Sequence, residues 1–189
     1  MATGSSTQEK TDKRLFNPIN LINVALFQLT WFGSVMGAAR GTAVFGLIGI
    51  GLLLAFSAWR KTLRADVLFV CALLPLGWVV DSIWAGTGIL NYGSTFAPLW
   101  ILLLWASVGL SLNHGMSLFV AHPFVGALLA GGAAPLSYLG GERLGAVEIP
   151  DPYALAWIAL GWLVVFFTVF RLAGLAKQNR LLRLNQPSV

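Results

Sequence analysis

The chain has 189 residues, of which 57% are hydrophobic and only 10% are charged, and its formal net charge is +5. A soluble domain carries about 25% charged residues. Together with a mean hydropathy of +0.78, this composition excludes a disordered chain, a disulfide scaffold and an ordinary soluble enzyme. We therefore expect an integral membrane protein.

Long stretches without charged residues divide the chain into apolar segments. They cover residues 15–39, 41–59, 82–141 and 152–170. About 20 apolar residues suffice to cross the hydrocarbon core of a bilayer, so the stretch 82–141 has room for two crossings. The run Ile101–Leu104 does not alternate between apolar and polar residues as barrel strands do. These segments therefore predict helices.

The predicted fold is all-α, with six transmembrane helices and both termini in the cytoplasm. In chain order the helices are expected at residues 17–38, 41–59, 66–84, 98–120, 123–140 and 153–172. With six spans, ten of the twelve Lys and Arg residues lie on the side of the termini, and only Arg40 and Arg143 lie on the other side. Because positive charge is retained in the cytoplasm, this asymmetry predicts the orientation.

Three parts of the chain are expected. Residues 1–16 predict a mobile cytoplasmic arm, residues 17–172 the six-helix membrane domain, and residues 173–189 a basic cytoplasmic tail. The basic segments favour membrane lipids with anionic headgroups as partners over nucleic acid. A partner protein, either membrane-bound or peripheral, is a further expectation.

The first candidate site is a polar set on the predicted outer side. It consists of Asp81, Tyr138, Glu142 and Arg143. An acid near the end of a membrane helix costs free energy unless it is paired or hydrated, which makes Asp81 a functional candidate. Arg143 is its expected partner, either in an anion-binding or acid–base site or as a purely structural ion pair.

The second candidate site is a polar set on the predicted inner side. It consists of Asn20, Asn23, Ser111 and His114. Ser107, Ser111 and His114 share one helix face by their i, i+4, i+7 spacing. Hydrogen bonding between helices is the favoured role for this set, and a proton relay or ligand contact is the alternative.

Motifs for metals and cofactors are not found. His114 and His122 lack metal-ligand spacing, Cys71 is the single cysteine, and no phosphate-binding loop or nucleophile elbow is present. We therefore expect no metal and no cofactor, and a catalytic activity is left open. Gly126, Ala130 and Ala134 recur every four residues, which predicts close helix packing inside the bundle or, as the alternative, a dimer seam.

Several short motifs resemble an uncharacterised bacterial membrane family, the domain of unknown function 2878. The resemblance covers residues 17–172 and rests on Phe27-Gln28, Trp31-Phe32, Val80-Asp81-Ser82, Thr87-Gly88-Ile89-Leu90, Pro98-Leu99-Trp100, Leu104-Trp105, Leu112-Asn113-His114, Pro135-Leu136-Ser137-Tyr138, Gly141 and Arg143-Leu144-Gly145-Ala146. The family has no established activity. Its reported gene neighbourhood implies a connection with membrane-lipid modification.

The leading functional hypothesis is therefore an accessory, non-catalytic component of lipid or fatty-acid modification, located in the bacterial inner membrane. In this role Arg143 contacts a phosphate or carboxylate group and Asp81 positions Arg143. A small transporter or flippase that uses the same residues with His114 is the first alternative. A lipid-modifying enzyme with Asp81 or Glu142 as general base is the second.

Overall fold

The computed structural model describes the backbone of residues 17–184 and the side chains of residues 17–179. Within this part of the chain there are seven helices and no strand, apart from one isolated bridge between Asn91 and Glu148. The helices are α1 (Ile19–Ala39), α2 (Val44–Trp59), α3 (Leu63–Gly86), α4 (Leu99–Gly109), α5 (Ser117–Ala121), α6 (Pro123–Arg143) and α7 (Ala154–Leu184). The predicted all-α class is confirmed.

Four of the helices, α1, α3, α6 and α7, are long and apolar enough to cross a membrane. The apolar helices α2 and α4 are shorter, with 16 and 11 residues. At 1.5 Å per residue α4 is about 16 Å long, roughly half the thickness of the hydrocarbon core. The six-span count and the cytoplasmic location of both termini stay predictions.

The structure describes most of the predicted C-terminal tail but none of the predicted N-terminal arm. The predicted arm, residues 1–16, lies outside the described residues, as do residues 185–189 of the predicted tail. The last helix was expected to end at residue 172, but α7 continues to Leu184. Ala173 is buried and Lys177 Nζ donates to the carbonyl of Leu112 at 2.9 Å, so tertiary contacts support this extension.

The predicted single helix at residues 98–120 is wrong. It is divided into α4 and α5, with consecutive turns at residues 110–116. Side chains from other elements satisfy the backbone groups that the break exposes: Asn23 Nδ2 donates to the carbonyl of Leu110, and Asn23 Oδ1 accepts from the N–H of Gly115. Sequence periodicity contains no information about such distant partners, so the break was not anticipated.

The helices pack in two groups. In the first, α1 packs against α2 and α4, and α3 packs against α4; in the second, α5, α6 and α7 pack against one another. Glycines allow the closest approach in the first group: a Cβ at Gly49 would overlap Thr30 of α1. The two groups face each other largely through side chains, which leaves space between them.

The bundle has two ends that each contain a buried aspartate of α3. The Asp81 end includes the loops at residues 87–98 and 144–153, and the Asp66 end includes the loop at 60–62 and the turns at 110–116. The 87–98 loop folds over its end and buries Leu90 completely.

Candidate functional site: two aspartate clusters and an aromatic cavity

A buried carboxylate, Asp81, lies at the centre of the Asp81 end. It is 0% exposed and accepts three hydrogen bonds from aromatic side chains. Its Oδ1 accepts from the hydroxyls of Tyr92 (2.7 Å) and Tyr138 (2.9 Å), and its Oδ2 accepts from Trp105 Nε1 (2.8 Å). The donors belong to the 87–98 loop, α6 and α4, so one side chain of α3 connects four elements. We call these four residues the Asp81 cluster.

Neighbouring residues explain how the donors reach Asp81. Gly77 precedes Asp81 by about one helical turn, and a Cβ at Gly77 would overlap the ring of Trp105, so the glycine provides the space that the indole occupies. Burial raises the pKa of the Tyr92 phenol well above its usual range, and the neighbouring Tyr138 and Asp81 raise it further. Because this phenol stays protonated, it remains a donor to Asp81.

The structure brings together two of the four residues in the predicted outer-side set. Asp81 and Tyr138 are hydrogen-bonded, whereas Arg143 is exposed and forms no ion pair within the described part of the chain. Arg143 follows Tyr138 by five positions, so the two side chains leave α6 about 140° apart. Only one of them can face Asp81. Glu142 accepts instead from the N–H of Ile149 at 2.9 Å. The expected Asp81–Arg143 pairing is therefore wrong, and a functional role for Glu142 and Arg143 stays a prediction.

A second buried carboxylate, Asp66, organises the opposite end of the bundle. Its Oδ2 accepts from the hydroxyl of Thr62 at 2.6 Å and lies 3.0 Å from His114 Nε2, and its Oδ1 accepts from Asn113 Nδ2 at 2.6 Å. The His114 ring also packs edge-on against Phe56, with 5.1 Å between ring centroids. We call Asp66, Thr62, Asn113 and His114 the Asp66 cluster. It fixes the turns between α4 and α5 to the start of α3.

The four residues of the predicted inner-side set do not form one site. His114 alone belongs to the Asp66 cluster. Asn23 bonds the backbone of the 110–116 turns, and Asn20 Nδ2 lies 3.4 Å from Ser117 Oγ. Ser111, in the turns at 110–116, donates to the carbonyl of Ser107 of α4 at 2.8 Å. Asn20 and Asn23 thus make contacts between helices, while a relay or ligand role for any of the four stays a prediction.

Sequence reasoning missed Asp66 as a site residue because it treated this acid as the start of a helix. Two signals were present. Thr62 precedes Asp66 by four residues, which brings a hydroxyl and a carboxylate to one face of a helix start. Asn113 and His114 lie in a long uncharged stretch, where a polar pair requires a partner.

A cavity of about 570 Å³ lies between the two helix groups. Its wall is formed by α1, α4, α5, α6 and α7, and ten of its lining residues are aromatic. These are Phe27, Trp31, Phe32, Trp100, Trp105, Phe119, Tyr138, Trp162, Phe166 and Phe170. Several of the rings pack on one another: Trp162 lies 5.3 Å from both Trp105 and Phe166 between centroids. We call this space the aromatic cavity.

Small residues of α6 create part of this space. Ala130, Ala133 and Ala134 line the aromatic cavity, whereas Gly126 is in contact with Phe119 and Phe170. The four-residue repeat of small side chains in α6 therefore lies inside the bundle, where two of its members leave room rather than fill it.

The aromatic cavity reaches the apolar outer surface of the bundle between α1 and α6. Two of its lining residues, Phe32 of α1 and Leu136 of α6, are 51% and 71% exposed. The two helices are bridged by a hydrogen bond of 2.9 Å from Trp31 Nε1 to Ser137 Oγ but do not pack closely along their lengths. The cavity is therefore open to the apolar outer surface of the bundle between these two helices.

The Asp81 cluster and the aromatic cavity share a wall. Trp105 and Tyr138 each donate to Asp81 and also line the cavity. A molecule in the cavity therefore contacts side chains whose positions the carboxylate fixes. The described residues contain no group of three or more His, Cys, Asp or Glu side chains arranged to hold a metal ion.

Comparison with protein families gives the relationship of the chain. The model of the family described as "Protein of unknown function (DUF2878)" matches residues 20–168. The chain belongs to this family. The resemblance seen in its motifs is thereby confirmed. Neither a curated protein nor a solved structure is significantly similar to the chain.

Membership in DUF2878 shows which of these residues lie in the region that the family shares, but it assigns them no function. The matched region contains both aspartate clusters and most of the aromatic cavity, while Phe170 and Lys177 lie beyond it. Since the family description names no function, roles for its residues in this chain have to come from geometry and chemistry.

Proposed function

We propose that the protein is an integral membrane protein that binds an apolar molecule of the bilayer in the aromatic cavity. We place it in the bacterial inner membrane as an accessory, non-catalytic component of lipid or fatty-acid modification. The observation that supports this proposal is the cavity itself. Its volume, about 570 Å³, is typical of ligand sites, and its wall is almost entirely apolar.

Packing energetics favour an occupied cavity. Protein interiors are close-packed, and side chains around a void lose the van der Waals contacts that a neighbour would supply. A lipid chain or a similar molecule that enters this space through its opening to the bilayer restores those contacts. The position of the opening, between the apolar helices α1 and α6, supports entry from the membrane rather than from water.

The hydrogen bonding of the clusters supports binding rather than catalysis. A general base has to approach within about 3 Å of the proton that it removes. Asp81 is 0% exposed and its oxygens already accept three hydrogen bonds, while His114 is 2% exposed and bonded to Asp66. Two of its three donors, Trp105 and Tyr138, face the cavity, so the carboxylate of Asp81 acts as a positioning group.

Filling the cavity tests this function. Ala134→Phe places a ring inside the cavity, and Gly132→Phe is the matched control because Gly132 is exposed and an added Cβ meets no other atom. In nanodiscs, lipids with brominated chains quench tryptophan fluorescence on contact, and Trp31, Trp100, Trp105 and Trp162 line the cavity. Three exposed tryptophans outside the cavity, Trp59, Trp78 and Trp157, are quenched equally in all variants. We expect Ala134→Phe to reduce the remaining quenching and Gly132→Phe to retain it. Equal quenching in both variants contradicts cavity binding.

The role in lipid modification has its own measurement. Fatty-acid and phospholipid profiles of a deletion strain are compared after complementation with the wild type, Ala134→Phe or Gly132→Phe. We expect the wild type and Gly132→Phe to restore the profile and Ala134→Phe to fail at equal expression. A profile that does not change on deletion contradicts the lipid role and leaves cavity binding to be judged by quenching alone.

A further inference from the structure

One polar side chain of α1, Gln28, lies where a hydrocarbon environment is expected. It is about 13 Å along the helix from Ile19, close to the middle of the 21-residue span. Its side chain is exposed, it lines the aromatic cavity, and it takes part in none of the hydrogen bonds among the described residues. An amide without a partner in hydrocarbon costs several kcal/mol, so its position requires a partner.

The position of Gln28 relative to the cavity opening indicates where that partner lies. Gln28 precedes Trp31 by three residues and so shares its face of α1. The indole of Trp31 bridges to Ser137 of α6, and the small residues Ala130 and Ala134 lie on the cavity side of that helix. A molecule entering between α1 and α6 therefore passes the Gln28 amide.

The charge of the cavity wall limits the chemistry of the occupant. Among the residues whose side chains the structure describes, no Lys, Arg, Asp or Glu lines the aromatic cavity, and the polar side chains there are those of Gln28, Ser137 and Tyr138 together with the indoles. An ionised headgroup would lose its hydration there without gaining a counter-charge. An uncharged oxygen, in a carbonyl or hydroxyl group, instead matches an amide that both donates and accepts.

We propose that the aromatic cavity selects an uncharged apolar molecule with a carbonyl or hydroxyl group, and that Gln28 is the specificity-determining residue that hydrogen-bonds this oxygen near the middle of the bilayer. This inference rests on the proposed function, because it assigns a ligand class to the same cavity. The mid-span depth of Gln28 distinguishes such a ligand from a phospholipid, whose polar headgroup lies at the membrane surface. The aromatic rings accommodate the apolar remainder.

Competition binding tests the proposal with ligands that differ in one group. The protein in nanodiscs is quenched with a dibrominated hexadecane, and the quencher is displaced with hexadecane, hexadecan-8-one or hexadecanoate, each expressed as its mole fraction in the bilayer. One additional hydrogen bond predicts that the wild type prefers the ketone to the alkane by about fivefold to tenfold. The carboxylate is expected to compete no better than the alkane.

Two variants identify the source of this preference. Gln28→Leu keeps a helix-forming side chain of similar size without the amide, and we expect it to reduce the ketone preference below twofold while hexadecane still competes. Thr168→Val is the matched control, because Thr168 is an exposed polar side chain of α7 that does not line the cavity. It is expected to retain the full preference.

The outcomes separate this inference from the proposed function. If hexadecane competes but the wild type shows no ketone preference, or if Gln28→Leu retains the preference, the role of Gln28 is wrong and cavity binding stands. If hexadecane does not compete at all in the wild type, cavity binding itself fails, and the inference fails with it.

Discussion

Asp66 and Asp81 lie on the same helix, about 22 Å apart at 1.5 Å per residue, and each is 0% exposed. Each carboxylate has three hydrogen-bonding neighbours, but the neighbours differ in kind. Those of Asp66 come from the adjacent loop and from the turns at 110–116, and they connect the turns between α4 and α5 to the start of α3. Those of Asp81 are large aromatic side chains from distant elements, and two of them form the wall of a cavity.

This difference shows how similar buried acids can serve separate purposes. The Asp66 cluster satisfies polar groups that the division between α4 and α5 exposes. The Asp81 cluster orients Trp105 and Tyr138, whose rings present an apolar surface to the cavity. Position in a membrane helix alone makes both residues functional candidates, whereas their neighbours indicate structural stabilisation for Asp66 and support of a binding site for Asp81.

Removing the acid beside the cavity is expected to have the largest effect. Asp81→Ala leaves three donors without their acceptor, and two of them, Trp105 and Tyr138, are buried, so we expect a loss of about 3 to 5 kcal/mol in the free energy of unfolding. Thermal unfolding in detergent measures this change. The released Trp105 and Tyr138 side chains should also weaken quenching by brominated chains in nanodiscs. A variant with unchanged stability and unchanged quenching contradicts the assigned role of Asp81.

Removing the acid at the other end is expected to cost less. Asp66→Ala leaves the buried His114 without this partner, but its other two donors, Thr62 and Asn113, are half-buried and therefore regain part of their hydrogen bonding from water. We expect a loss of about 2 to 3 kcal/mol. Quenching by brominated chains should remain at the wild-type level at temperatures where the variant is folded. A loss of quenching as large as that of Asp81→Ala would remove the functional distinction between the two ends.

Two tyrosines provide the smallest and most selective comparison. Tyr92→Phe and Tyr138→Phe each delete one hydroxyl donor to the same Oδ1 atom, so each is expected to lower stability by about 1 kcal/mol. Only Tyr138 lines the aromatic cavity. We therefore expect Tyr138→Phe to change the affinity for brominated chains by about twofold or more, while Tyr92→Phe leaves it unchanged. Identical affinities in both variants argue against the shared wall as a determinant of binding.

Much of the secondary structure was accessible from the sequence. The expected first helix, residues 17–38, is close to α1, and the expected fifth, residues 123–140, is close to α6. Apolar stretches between charged residues predict a helix from the hydrophobicity of many residues together, so a local irregularity does not change the prediction. The division between α4 and α5 was missed because it depends on Asn23 and Asp66, which are distant in sequence from the turns that they stabilise.

The candidate site was only partly accessible. The cost of burying an acid identified Asp81, but the choice of Arg143 as partner rested on charge alone. The helical rotation between Tyr138 and Arg143 decides which side chain faces Asp81, and neutral aromatic donors then satisfy the carboxylate. The sequence also showed the repeat of small residues in α6 without indicating that Ala130 and Ala134 border empty space.

The amino-acid sequence by itself determined that this is a helical protein with segments apolar enough for a membrane, because burial of backbone groups in lipid requires helices wherever apolar runs are this long. The tertiary structure alone decided which polar residues meet, where α4 gives way to α5, and that a cavity separates the two helix groups. Those features depend on the relative rotation and spacing of helices that are remote in sequence. Small changes in either would exchange the neighbours of Asp81 and close the cavity.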